Sequence, residues 1–443
     1  MINLITQISK YIIVILSALY AMKCFTVFRA KHEVNRGSVY VTQNILMFMI
    51  HFICYLIIYM NVPEVKVIAF YLVQVILLIV TIVLHSIIYK RASRLLVNNM
   101  CFLLMVGFVI LTRLDFDLAA RQFGIAVAAI ILALFIPIII AKVKVLEKWG
   151  IFYGILGILV IASVFVFGKS INGAINWVQI GGVSLQPSEL AKVIFVFFIA
   201  AMLQEKPSFK RIVVVSAAAA GFVLLLAAQN DLGAAVIFFM VYLFMLYVAT
   251  EEFRYMILGM VGLSGAAVIA YNFFSHVRVR VTVWLNPWSD YSDRGYQIAQ
   301  SLFAIGTGSW FGVGLYQGMP STIPIVVSDF IFSAISEEMG AIFCVCLLLV
   351  YVSCFVMFIN ISLQLSNPFY KLLSIGLSVS YAFQIFLCVG GVIKLIPHTG
   401  VTLPLISNGG SSILSTIIIF AVIQGLYLLK QKEVQTDEKT GQK

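Results

Sequence analysis

The chain has 443 residues, of which 62% are hydrophobic and 11% charged, with a mean hydropathy of +1.07 and a formal net charge of +11. No soluble domain needs that much apolar surface, and the long unbroken apolar runs exclude the short alternating segments of a membrane β-barrel. The positive charge is scattered over short connections, as Lys and Arg are when they orient membrane helices, which argues against nucleic acid as a partner.

Apolar runs near the length needed to cross a bilayer recur thirteen times: 8–28, 40–60, 66–89, 97–113, 121–141, 149–168, 190–204, 211–228, 232–249, 254–274, 330–359, 371–395 and 412–429. They predict an all-α polytopic membrane protein with about 13 transmembrane helices and no soluble domain. The first run follows a weakly charged start and lacks a small-residue cleavage site, so it is read as a retained helix rather than a signal peptide.

Basic residues mark every second connection. Arg29, Lys31 and Arg36 follow the first span; Lys90, Arg91 and Arg94 the third. Lys142, Lys144 and Lys148 follow the fifth, Lys206, Lys210 and Arg211 the seventh, and the tail "LKQKEVQTDEKTGQK" the last. If the spans alternate, all of these share one side, and the positive-inside bias makes that side cytoplasmic. The N-terminus and the loops 169–189, 275–329 and 396–411 then face outward. Arg278, Arg280 and Arg294 run against the bias in the largest outer loop and call for a functional explanation. The seven cysteines, at positions 24, 54, 101, 344, 346, 354 and 388, all lie in apolar segments without metal-site spacing and read as inert core thiols. No internal repeat or low-complexity segment is present.

Four segments carry polar residues where lipid would penalise them. The first is "NGAINWVQIGGVSLQPSELAKV", Asn172 to Val193. Pro187 opens a helix there, and Glu189 and Lys192 fall three residues apart on one face. An intramembrane ion pair is costly unless partnered or lining a wet cavity; a purely structural pair aligning helices is the competing reading. In the second, "AAQNDLGAA", Asp231 is a helix N-cap, a cavity carboxylate, or both. The third runs from "RVRVTVWLNPWSDYSDRGYQIAQSLFAIGTGSWFGVGLYQG" through "SDFIFSAISEE", too ordered in composition for a flexible linker. Its two aspartates, Asp290 and Asp293, compete evenly for any acid–base role on residue chemistry alone. The fourth, "GGVIKLIPHTGVTLPLISNGGSS", breaks a helix with prolines and glycines, which membrane depth tolerates only beside protein or a wet cavity.

Taken together and in this order, the four segments resemble the SEDS family (shape, elongation, division and sporulation), the RodA, FtsW and SpoVE proteins of bacteria, over about residues 97–430. The resemblance implies a peptidoglycan glycosyltransferase in the bacterial cytoplasmic membrane that polymerises lipid II into glycan strands at the outer face. It also implies a class B penicillin-binding protein as the partner that supplies the transpeptidase. The family's ten spans would match spans four to thirteen. Residues 1–96 then form an added three-helix segment, 97–430 the core and 431–443 a charged cytoplasmic tail. Adding an odd number of spans turns the N-terminus outward, in agreement with the charge count. The sequence departs from the family pattern at Asn176 (usually Arg), Asn230 (Pro), Tyr291 (Pro), Ile325 (Glu) and Asn408 (Tyr), as a divergent paralogue would.

Joining a sugar hydroxyl to an anomeric carbon needs a carboxylate to take the proton and fixed cations for the departing pyrophosphate. By the resemblance, Asp290, five residues before Gly295-Tyr296-Gln297, is the catalytic aspartate. Asp293 stands where the family has a small residue and reads as a turn residue or a partner for Arg294. Arg280 is the candidate pyrophosphate contact, with lipid-headgroup contact the plainer reading for it and Arg278. Glu189, Lys192, Asp231 and Gln300 complete the expected substrate-binding set. His276 and His398 also lie near the outer face, where lone histidines more often make ordinary hydrogen bonds. No metal cage is encoded, although a divalent cation (Mg or Mn) bridging the donor's phosphates suits this chemistry. Two other functions compete: a flippase for a lipid-linked precursor, which needs polar groups reaching the inner face, and a non-catalytic scaffold, against which the intact Asp290 loop argues.

Overall fold

Residues 2–29, 33–143, 145–171, 174–180, 183–291 and 293–440 are described by the structure, a computed structural model. Lys31 and Lys144 of the charge pattern, Asn172, Gly173, Gly181 and Gly182 of the first polar segment, and Ser292 of the third lie outside the described residues. Three helices come first: α1 (Ile2–Arg29), α2 (Glu33–Asn61) and α3 (Val65–Ile88). Then follow α4 (Arg94–Leu114), α5 (Phe116–Ala133), α6 (Ile136–Lys142) and α7 (Gly150–Phe167). Strands β1 (Gly168–Ile171), β2 (Ala174–Ile180) and β3 (Val183–Leu185) precede α8 (Pro187–Leu203), α9 (Phe209–Ala228) and α10 (Leu232–Thr250). The chain continues through α11 (Phe253–Phe273), α12 (Ser275–Leu285), α13 (Tyr296–Gly308), α14 (Ile331–Leu363), α15 (Pro368–Val392) and α16 (Gly410–Thr440).

Twelve helical segments among the described residues are long and apolar enough to cross a membrane, α5 and α6 together forming one of them. The thirteenth expected span is α8, with 17 residues. At about 1.5 Å per residue it falls a little short of the ~30 Å hydrocarbon core. Its charged first turns line a cavity rather than lipid, so full apolar length is not required of it. The fifth span is interrupted between α5 and α6 at Leu134 and Phe135, just before Pro137, which lacks the N–H to continue the hydrogen-bond ladder.

Outside the helices, β1, β2 and β3 form a small antiparallel sheet in the order β1-β2-β3, with Val178 opposite both Gly168 and Leu185. The expectation of helices alone passes over these strands, which are too short to bury a face of their own. The largest outer loop also proves structured. It holds α12, a 3-10 turn at Pro287–Asp290, and α13.

α4 lies at the centre, buried along nearly its whole length. A helix apolar on all sides is stable only when surrounded, and here α2, α3, α5, α14 and α16 surround it. The first three helices are bonded into this core. Tyr20 of α1 donates to Asn99 Oδ1 (3.1 Å), and Asn99 Nδ2 donates to Ser353 Oγ of α14 (2.7 Å). Further along, Gln74 bridges His51 (3.0 Å) and Tyr55 (2.6 Å), and Tyr55 meets Thr112 (2.8 Å). All seven cysteines are free and buried, as their apolar surroundings predict.

Candidate functional site

Four distant segments meet at the end of the bundle opposite the Lys- and Arg-rich connections, the outward-facing end by the charge bias. They enclose a cavity of about 740 Å³ whose lining includes Glu189, Lys192, Asp231, Arg280, Asp329 and Gly400.

Helix α8 contributes the ion pair. Pro187 occupies its first turn, where the missing N–H costs nothing. Lys192 Nζ lies 2.9 Å from Glu189 Oε2, with the two side chains 4% and 12% exposed. Neither partner depends on the other alone: Lys192 also donates to Gln384 Oε1, and Glu189 accepts from Ser415 Oγ (2.7 Å). The pair therefore both ties α8 to α15 and α16 and faces the cavity. The structural and cavity readings hold together.

Asp231 also has two roles. Its Oδ1 accepts from Ala234 N (3.1 Å), capping α10. Its Oδ2 faces the cavity and accepts from Asn176 (3.1 Å), Gln186 (2.9 Å) and Ser188 (3.3 Å). Asn176, noted above as a departure from the family pattern, is thus a direct partner of this carboxylate.

The outer loops close the opposite wall. Arg280, on α12, donates from Nη1 to the Thr399 carbonyl (3.3 Å) in the broken segment between α15 and α16. Burial lowers the Arg280 pKa, while Asp329 and then Asp231 oppose that shift. Gly400, with φ +73°, adopts a left-handed conformation that favours glycine, and a Cβ there would stand 3.5 Å from Asp329 Oδ2 and 4.0 Å from Arg280 Nη2. Asp329 Oδ2 lies 3.8 Å from His398 Nε2, and the His398 ring stacks on Phe330 at 4.5 Å. Burial, and next Arg280, lower the pKa of His276, which favours its neutral form.

The remaining expected residues lie elsewhere. Asp290 ends the 3-10 turn and lines neither this cavity nor a neighbouring one of about 500 Å³. Its backbone carbonyl accepts from Asp293 N (3.3 Å) and Gly295 N (2.9 Å), while its carboxylate has no hydrogen-bond or ion-pair partner among the described residues. Gly295 is required by the turn, since a Cβ there would sit 2.0 Å from the Pro287 carbonyl oxygen. Asp293 lines the neighbouring cavity and lies 3.9 Å from Arg294. Gln300 lines neither cavity and donates to Tyr291 Oη (2.9 Å). Arg278 turns to the Asn272 carbonyl (2.9 Å).

Sequence reasoning missed Asp329. The acid beside an apolar run in "SDFIFSAISEE" resembles a routine helix cap, yet the residue flanking α14 is Phe330, and Asp329 turns to the cavity instead. No group of three or more His, Cys, Asp or Glu side chains that could hold a metal ion is found among the described residues. A divalent cation would depend chiefly on a substrate's phosphate oxygens for ligands.

Comparison with known proteins adds to this geometry. The family described as cell cycle protein FtsW/RodA/SpoVE matches residues 93–431. Peptidoglycan glycosyltransferase RodA of Mycobacterium tuberculosis is 33% identical over 297 residues, 63% of this chain and 63% of that protein. The chain thus spans less than two thirds of the length of that relative. A probable peptidoglycan glycosyltransferase FtsW of Aliivibrio salmonicida is 33% identical over 333 residues, 70% of this chain and 83% of that protein. Stage V sporulation protein E of Bacillus subtilis is 33% identical over 273 residues, 60% and 74% respectively. Among solved structures, a chain from a peptidoglycan synthase complex that coordinates polymerization and crosslinking aligns with a TM-score of 0.66 at 26% identity, covering 76% of this chain and 98% of that one. The rod shape determining protein RodA of Thermus thermophilus aligns with a TM-score of 0.59 at 24% identity, covering 77% and 98%, a likeness of fold alone.

Proposed function

This chain belongs to the FtsW/RodA/SpoVE family, and on that premise we propose that it is a peptidoglycan glycosyltransferase, polymerising lipid II at the outer face of the bacterial cytoplasmic membrane. It is a multi-pass membrane protein. The observation that carries the proposal is the convergence of Glu189, Lys192, Asp231, Arg280 and Asp329, from four separate stretches of chain, on one outward-facing cavity. Ionisable groups that bundle helices bring together at the membrane mark a substrate site by default.

In the proposed reaction a sugar hydroxyl of one substrate attacks the anomeric carbon of the other. The new C–O bond forms as the bond from that carbon to the pyrophosphate oxygen breaks, and the hydroxyl proton passes to a carboxylate. Arg280 supplies fixed positive charge for the leaving pyrophosphate. Asp290 is the proposed general base: it stands outside both cavities, its carboxylate has no partner among the described residues, and its backbone carbonyl closes the turn it ends. Asp329, on the cavity wall, is the competing carboxylate. A class B penicillin-binding protein is the proposed partner, supplying the transpeptidase.

A flippase would need a polar route to the inner face. Phe238, in the cavity lining, instead packs against Phe195 (4.8 Å between ring centroids) and Phe222 (6.2 Å), an apolar floor that opposes such a route. The test is purified protein, with and without a class B penicillin-binding protein, incubated with labelled lipid II. Polymer is the expected product. Lipid II translocation in vesicles without any polymer would overturn the reading in favour of transport.

A further inference from the structure

The cytoplasmic end of the first three helices, opposite the outward-facing site, holds a polar pocket that the reaction does not use. It encloses about 70 Å³ between α2, α3 and α4, with a lining that includes Asn44, His85, Ser86 and Arg94. An apolar groove of about 480 Å³ adjoins it along α2, lined by Val41, Ile45, Phe48, Met49 and Phe52. Val41 and Asn44 belong to both. We propose that the pair binds one phospholipid of the inner leaflet. Its acyl chain lies in the groove, and its anionic, hydroxyl-bearing headgroup, of the phosphatidylglycerol class, lies in the polar pocket.

Unpaired polar groups define the headgroup end. Asn44 makes no hydrogen bond among the described residues, and its Oδ1 is shut off from solvent. Its neighbour Gln43 is the contrast: Nε2 donates to Cys24 Sγ (3.3 Å) and Oε1 accepts from Asn98 Nδ2 (3.2 Å). A buried amide on a membrane-spanning helix is costly without a partner, so Asn44 points to one outside the chain. The Thr81 carbonyl can only accept, so His85 Nδ1 carries the hydrogen of their 2.9 Å bond. That leaves Nε2 of the neutral ring to accept, and it too has no partner among the described residues. Two waiting acceptors suit a ligand with hydroxyl groups.

Charge defines the anion. The Arg94 side chain has no hydrogen-bond or ion-pair partner among the described residues, and no Asp or Glu is among the pocket's lining. Lys90 and Arg91 precede it on the same exposed turn. Basic clusters at the cytoplasmic surface attract anionic lipid, and a guanidinium with its donors free takes phosphate oxygens well.

Depth defines the chain. From Val41 to Phe52 the groove runs about 17 Å along α2, at ~1.5 Å per residue. One leaflet's half of the ~30 Å hydrocarbon core has nearly that depth. Val41, Ile45, Met49 and Phe52 recur at helical spacing and are all exposed. Polar pocket and apolar groove thus meet at Asn44, the order in which a phospholipid presents its own two parts. Bound there, the lipid would also tie α2 and α3 to the central helix α4.

The test uses the full-length protein, stripped of lipid in detergent. Phe48→Trp places a fluorescent ring in the groove, read against the wild-type signal. Phosphatidylglycerol brominated on its acyl chains should quench that ring at a concentration at least about fivefold lower than brominated phosphatidylcholine. Equal quenching by the two would overturn the proposal, leaving the groove to bulk lipid. Brominated phosphatidic acid, which carries the charge without the glycerol hydroxyls, should quench less well than phosphatidylglycerol; equal quenching would overturn the headgroup assigned. Asn44→Leu, added to the reporter, should abolish the preference while the unfolding temperature without lipid stays the same or rises, because no protein partner is lost. Arg94→Gln should weaken the preference as well, and its survival intact in both variants would overturn the site. Native mass spectrometry of the unsubstituted protein covers a reporter that fails to fold. One phosphatidylglycerol should stay bound under conditions that strip phosphatidylcholine, and equal loss of both would overturn the proposal.

Discussion

Polar side chains are buried in two regions of this membrane protein, and the two regions treat them differently. Between the first three helices and the core, Tyr20, Asn99 and Ser353 are bonded to one another, as are His51, Gln74, Tyr55 and Thr112, although His51 Nδ1 has no partner among the described residues. At the outward-facing cavity, Arg280 makes one hydrogen bond among the described residues, and Asp329 stands 3.8 Å from His398. Helices in lipid must satisfy their polar groups internally, so the first arrangement is what helix packing demands. The second leaves hydrogen-bonding capacity unused among the described residues, as expected of the proposed substrate site. The Glu189–Lys192 pair belongs to both, being buried and well partnered yet open to the cavity.

The largest effect that would sharpen this contrast is expected at Asp290. Replacing it with Asn keeps size but removes the base, and lipid II polymerisation should fall on the order of a hundredfold or more, with lipid II binding and thermal stability retained. If Asp329→Asn proves the dead variant and Asp290→Asn does not, the base belongs to the cavity wall rather than to the outer turn.

The Glu189–Lys192 pair comes next. Glu189→Gln removes one charge of a buried pair, for which a loss of roughly 3–5 kcal/mol of stability is expected, together with activity. The double variant Glu189→Gln with Lys192→Met should recover thermal stability but not polymerisation. Recovery of both would place the pair wholly with the structural region.

Asn99→Leu probes the structural region itself. It strands the Tyr20 hydroxyl, while Ser353 keeps its bond to the Val350 carbonyl (2.8 Å), and about 1–3 kcal/mol of stability should be lost, while polymerisation per folded molecule stays unchanged. The smallest effect is expected at Asp293→Asn. Its side chain is 77% exposed and lies 3.9 Å from Arg294, and exposed pairs contribute little. A polymerisation rate within about twofold of wild type is the expected result; a steep loss would move the catalytic role to that residue.

Much of this division was legible in the sequence because lipid makes helices easy to read. Apolar length located the spans, Pro187 marked the start of α8, and the spacing of Glu189 and Lys192 put them on one helix face. Asp231 was readable in both its roles. The wall joining Arg280, Asp329 and Gly400 was not. Their meeting depends on how the outer loops fold back over the bundle, and no local period encodes that. The network around Asn99 was hidden for a related reason: a single Asn in an apolar run gives no hint of which helix will pair with it. Gln300 was expected at the substrate and instead bonds Tyr291, a partner on the adjacent turn. The placement of Asp290 outside both cavities is likewise a property of the turn that Gly295 closes, not of the spacing that singled it out.

The contrast between the two regions reduces to one measurement: lipid II polymerisation, normalised to folded protein, by Arg280→Gln and Asn99→Leu side by side. Arg280→Gln is expected to lose polymerisation at least about tenfold with its unfolding temperature unchanged, because the proposed role of its guanidinium is to stabilise the departing pyrophosphate. Asn99→Leu should unfold at lower temperature and polymerise normally. Normal polymerisation by Arg280→Gln, with activity lost only where stability is lost, would contradict the assignment of the outward cavity as the site of glycan joining.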